Sequence, residues 1–145
     1  MFVRLSLVYF LLGGLVGLHY LWAPGSLPDG ADVLRLHGHL MMIGFLMMMV
    51  FGIALHVLPR FSGRALYSER LADLQFWAVN GGLWLMSLGW WFGEDWRDLI
   101  AMGGVMEVVG VGLFGFNLAR TMMGVPTVER ENLEGGGLDR EEHKP

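Results

Sequence analysis

Four long apolar stretches fill most of the chain, about Leu5–Trp22, Leu34–Leu58, Leu71–Phe92 and Leu99–Met123, with short polar segments between them. A bilayer core of roughly 30 Å takes about 20 mostly apolar helical residues, and each stretch has that length. The pattern predicts an all-α fold, an integral membrane four-helix bundle. The segment Ala23–Val33 holds Pro24, Gly25, Pro28 and Gly30 beside Asp29 and Asp32, which is loop chemistry. Pro59 predicts the end of the second helix, Arg60–Arg70 reads as a basic loop, and Gly93–Asp98 as a short acidic one. Residues 1–123 are read as one domain. Residues 124–145 are charged and glycine-rich, with Gly135, Gly136 and Gly137 in a row, and are expected to form a polar, disordered cytoplasmic tail.

Charge gives the stretches an orientation. Arg4, Arg60, Arg64, Arg70 and Arg120 flank one side of the predicted spans. Asp29, Asp32, Glu94, Asp95 and Asp98 flank the other, against Arg35 and Arg97. Basic loops stay inside, so both termini are expected in the cytoplasm. Trp22, Trp90, Trp91 and Trp96 then fall together at the outer surface, as an interfacial belt does. Arg4 precedes a run long enough to span, with no small-residue cleavage site after it, so the start reads as a membrane helix and not as a signal peptide. The expectation is a multi-pass protein of a prokaryotic cytoplasmic membrane, surrounded by lipid. Composition agrees, at 54% hydrophobic and a mean hydropathy of +0.47. Glu129, Glu131, Glu134, Asp139, Glu141 and Glu142 all lie in the tail, so the net charge of −4 says little about partners, and nothing points to nucleic acid. The chain has no cysteine, which excludes disulfides, thiolate metal sites and covalent haem attachment. Gly13 with Gly17 and Gly89 with Gly93 form small-xxx-small pairs suited to close helix approach.

Histidine is costly in hydrocarbon and marks a site there by default. The second stretch opens with His37-Gly38-His39. Residues two apart on an α-helix lie about 200° apart around its axis, so the two rings address different partners. On an ideal helix His37 shares its face with Met41, Gly44 and Met48, and His39 shares the other with Ile43, Leu46 and Val50. An imidazole above an apolar wall is what haem asks of a protein, and Gly44 would leave a flat place below His37. The bland reading is that each histidine bonds a backbone carbonyl or a neighbouring helix. His19, near the outer end of the first stretch, is a candidate second ligand. His56 lies at the inner end as a weaker one, and His143 sits in the tail. A compact zinc or copper site needs three or four converging ligands, which a pair pointing apart does not supply. Glu107 lies well inside the fourth stretch. It is read either as a proton-handling or cofactor-contacting group or as a carboxyl bonded to Asn80 or Ser87. Met41 and its neighbours Met42, Met47, Met48 and Met49 are read as apolar filler, although methionine is also an axial haem ligand. Arg35 is read as a partner for a haem propionate or as an interfacial anchor.

The run His37-Gly38-x-x-Met41, leading into an apolar helix that ends Leu58-Pro59-Arg60, resembles the low-spin-haem helix of the haem–copper oxidase catalytic subunit, subunit I. The longer phrase His37-Gly38-His39-Leu40-Met41-Met42-Ile43-Gly44-Phe45 is similar to membrane haem proteins linked to nitric-oxide response. The motifs cover about Leu34 to Arg64, and the hydropathy pattern extends the likeness to the rest. In that superfamily twelve helices form three arcs of four, and a paired His-x-His serves two haems on opposite faces of one helix. The resemblance therefore implies that His37, and by analogy His39, hold haem near the outer side. The chain corresponds to about one arc and has no histidine cluster for a copper site, so no oxidase activity is expected of it alone.

These readings converge on a small non-covalent haem b protein, a homodimer or homotrimer with haem at subunit interfaces. It would transfer electrons to or from a redox partner protein, or bind or sense nitric oxide or oxygen. The rivals are a cofactor-free assembly or interaction protein and a copper- or zinc-handling protein.

Overall fold

The computed structural model contains four long helices. They are α1 (Phe2–Trp22), α2 (Val33–Phe61), α3 (Glu69–Phe92) and α4 (Arg97–Met123). Short 3-10 turns, Pro24–Ser26 and Glu94–Trp96, lie in the first and third connections, and no strand occurs among the described residues. The structure describes residues 1–29 and 31–124, without the Glu94 side chain. The tail expected to be disordered, His143 included, lies past Gly124 and outside them.

The helix starts and stops follow local chemistry. The Asp32 carboxylate accepts from the Arg35 amide and the Ser68 hydroxyl from the Leu71 amide, which caps α2 and α3. Gly93 ends α3 at φ 95°, a conformation that favours glycine. Pro59 does not end α2, contrary to expectation: the helix continues to Phe61. The last turn is closed by the Ser62 amide on the Leu58 carbonyl and the Arg64 amide on the Pro59 carbonyl, at 3.0 and 2.9 Å, and the Ser62 hydroxyl lies within reach of the same two carbonyls at 2.9 and 3.1 Å.

α1, α2 and α4 are long and apolar enough to cross a membrane. The fourth expected segment, α3, is a helix but does not reach that hydropathy. At 24 residues it has the length, but it is less apolar than the others, because Gln75, Asn80 and Ser87 sit on its buried face. Its polar groups point into the protein. The apolar stretches of α1 and α4 are only 17% buried, so their outward surface is almost wholly hydrocarbon.

α3 and α4 form the tightest pair. Gly82 and Gly103 meet so closely that a Cβ on Gly82 would come 2.6 Å from the Gly103 carbonyl oxygen, the close approach that small residues permit. On the other side α1 lies along α2 and reaches α3 through long side chains. The Tyr9 hydroxyl donates to Asn80 Oδ1 at 2.7 Å, and Phe2 meets Phe76 edge-on at 5.1 Å. Phe51 and Phe114, 4.6 Å apart, tie α2 to α4. Asn117, fully buried in α4, accepts from the Ser68 amide and donates to the Ser68 carbonyl, and Thr121 accepts from the Tyr67 amide. These bonds fix the start of α3 against the end of α4.

Within α2 the segment Leu40–Met47 is π-helical. From Leu36 to Met48 the buried residues of the helix, Leu36, Leu40, Gly44 and Met48, recur in steps of four. Steps of four would drift by about 40° each on an α-helix. The wider i→i+5 turns absorb that drift and hold one face inward.

Candidate functional site

His37 and His39 leave α2 towards different neighbours. His37 faces α1, where its Nδ1 lies 2.8 Å from the Gly13 carbonyl oxygen. A carbonyl only accepts, so Nδ1 carries the proton and Nε2 keeps its lone pair. The ring sits against Gly17, where a Cβ would come within 2.8 Å of both Cε1 and Nδ1. The Gly13–Gly17 pair is therefore the seat of a histidine and not only a helix contact. Beside it His37 lines an apolar groove of about 420 Å³ between α1 and α2, with Leu18, Leu21, Val33 and Leu34.

His39 faces α3. Its Nδ1 donates to the Arg35 carbonyl of its own helix at 3.2 Å, and its ring lies on Trp90 with centroids 4.4 Å apart. Trp90 also lines a second cavity, of about 520 Å³, with Asp32, Arg35 and Arg97. Arg35 is thus beside the pair but already ion-paired to Asp32 at 3.2 Å, with its side chain 70% exposed.

The other candidates lie apart. His19 is exposed, two residues from Gly17 and so about 200° around α1 from the His37 contact. The Ser26 hydroxyl donates to the Ala23 carbonyl, so its oxygen accepts from His19 Nε2 at 3.0 Å. That nitrogen carries a proton and offers no lone pair. His56 accepts from the Arg60 guanidinium one turn on. Met41 packs against Gly13, where a Cβ would lie 2.8 Å from its Sδ. Gly44 is not a flat wall for a macrocycle, as the ideal helix suggested: the Tyr9 ring fills it, 2.6 Å from where a Cβ would be. Glu107 is bonded to neither Asn80 nor Ser87. Asn80 is engaged by Tyr9, and one Glu107 oxygen, Oε1, is buried without a partner, as is Ser87 Oγ.

Of these histidines, His37 and His39 therefore present Nε2 with no partner among the described residues. An axial haem ligand whose other nitrogen donates to a carbonyl is held in the ligating tautomer and made more basic. His37 meets that requirement and opens on an apolar groove, so the donor fits haem. Among the described residues no three His, Cys, Asp or Glu side chains converge, which does not fit a copper or zinc cluster. Sequence reasoning located both histidines but missed Gly13 as the acceptor and Trp90 as the ring partner. The small-xxx-small pair was the one available signal.

A family model described as Cytochrome C and Quinol oxidase polypeptide I matches residues 1–94. The match takes in α1, α2 and α3 and ends before α4. No curated protein and no solved structure matches the chain.

Proposed function

This chain belongs to the cytochrome c and quinol oxidase polypeptide I family, and from that premise we propose that it is a membrane haem b protein with His37 as an axial ligand. The observation that carries the proposal is the bond from His37 Nδ1 to the Gly13 carbonyl, which leaves Nε2 free beside an apolar groove. Haem, when bound, supplies one-electron chemistry and a position for nitric oxide or oxygen. The chain's own work is to fix the His37 ring between Gly13 and Gly17, to keep Nδ1 protonated, and to line the groove with hydrocarbon. Arg35 and Arg97, at the cavity beside Trp90, offer cationic partners for carboxylates on the His39 side.

His37 and His39 face different helices, and His19 turns away from both. A second axial ligand for either face comes from a neighbouring copy in this reading, which therefore includes a homo-oligomer. Alternatively that position stays open for a gas. The bond of His39 to its own helix also suits a packing histidine, so His37 carries more of the proposal than His39.

The test is the absorbance spectrum of protein purified from haem-replete cells, oxidised and reduced, followed by a haemin titration. The expected result is a haem spectrum with stoichiometric uptake. A folded, colourless preparation that takes up no haemin contradicts the proposal.

A further inference from the structure

The cavity of about 520 Å³ beside Trp90 lies where α2 and α4 begin and α3 ends. The Asp32 amide donates to the Trp90 carbonyl at 2.8 Å, which ties the start of α2 to the end of α3 there. Trp90, only 4% exposed, and Ile100 give the cavity apolar walls. Asp32, Arg35 and Arg97 give it charge. The Nε of Arg35 is ion-paired to Asp32, and its two terminal nitrogens have no partner among the described residues. Arg97 is in no ion pair among the described residues, and Asp95 and Asp98 are exposed and outside the lining. Two guanidinium groups against one carboxylate leave the lining with one net positive charge. No histidine lines it.

A single net charge beside apolar walls suits a monoanion joined to a hydrocarbon body. The volume falls among small-molecule sites, which run from about 300 to 1,000 Å³. Guanidinium groups grip phosphate oxygens through paired N–H donors. Trp91, Phe92 and Trp96, next to the cavity in the chain, are all exposed, and tryptophan collects at the headgroup level of a bilayer. The apolar stretch of α4, the helix that supplies Ile100, is only 17% buried, so hydrocarbon surface adjoins the cavity. Basic pockets between membrane helices bind anionic lipid headgroups. We propose that this cavity seats the headgroup of an anionic phospholipid, with its one phosphodiester between Arg35 and Arg97 and its chains along α4. A haem carboxylate is the rival anion for these arginines. The lipid is preferred because no histidine lines the cavity and open apolar surface adjoins it. The proposal does not rest on haem binding.

The probe is phosphatidylglycerol, titrated into the full chain in neutral detergent and read by native mass spectrometry against phosphatidylcholine with the same chains. The expected result is one phosphatidylglycerol retained per chain, with at least tenfold preference over phosphatidylcholine. Arg97→Gln loses about fivefold, the effect of one arginine at an anionic lipid surface. Arg70→Gln, at the far end of α3, stays within about twofold of the parent. Asp32→Asn keeps the oxygen that caps α2 but releases Arg35, so it binds at least twofold more tightly, a gain that damage to the fold would not produce. Circular dichroism should show the same helix content in all three variants. Equal retention of the two lipids overturns the proposal, as does an Arg97→Gln protein that binds like the parent or an Asp32→Asn protein that binds no tighter. Displacement of the lipid by millimolar inorganic phosphate, the mark of a free-anion site, or by haemin, the mark of a carboxylate site, overturns it as well.

Discussion

Gly17 shows how much one missing side chain can govern. A methyl group there would press on two atoms of the His37 imidazole at 2.8 Å, and the ring would have to give up its bond to Gly13. Gly17→Ala is therefore expected to weaken haemin uptake at least tenfold and to shift the Soret band, with helix content unchanged. Gly115→Ala, where a Cβ meets nothing within 4 Å, should behave as the parent in the same titration. Tyr9→Phe tests a different bond. It leaves Asn80 Oδ1 buried and unpaired, and interhelical hydrogen bonds in membranes contribute about 0.6 to 1.7 kcal/mol. Unfolding in a detergent titration should show a loss of that size, with the haem spectrum retained. His37 was legible in the sequence as a candidate, because a histidine in an apolar run is conspicuous. Its tautomer was not, since that depends on a carbonyl 24 residues away.

The loops before α2 and after α3 were legible in the sequence, because Asp32 and Gly93 act locally, whereas the Ser68 cap lay unmarked in the stretch read as a basic loop. The phase of α2 was not. From Leu40 to Leu55 the sequence is apolar with hardly a break, so no polar position marks where the turn widens. Stripes drawn on an ideal helix put Gly44 under a haem, whereas the π-helical segment turns it into the Tyr9 contact. Deleting Met42, which is 56% exposed within that segment, should convert it to ordinary α-helix. Gly44 and its neighbours would then leave the positions that the wider turns give them. The expected outcome is a helical protein that no longer takes up haemin, and a deletion variant with the parent spectrum would contradict the role given to the π-turns. At the other end of the bundle, Asn117→Ala removes both bonds to the Ser68 backbone. The Ser68 carbonyl keeps the Ala72 amide at 3.4 Å, but the Ser68 amide is left unpaired, which costs about 1–3 kcal/mol when buried, so thermal unfolding should move downward.

At the scale of the whole molecule, the outward surface and the ligand set point the same way. α1 and α4 leave most of their apolar surface unburied within one chain, and the paired histidines face different helices with no second ligand brought to either. Lipid can cover the first of these, but a neighbouring copy answers both. Mass measurement of the detergent-solubilised protein is expected to give a closed dimer or trimer, and haem stoichiometry should fall when the oligomer is dispersed. A haem-loaded monomer with both axial ligands from one chain would show that the interface reading is wrong. The most direct test remains at His37. In His37→Gly the axial ligand is lost while the groove stays open, so the reduced-minus-oxidised haem spectrum should disappear and return on adding millimolar imidazole. A His37→Gly protein that keeps the parent spectrum without imidazole would contradict the central claim.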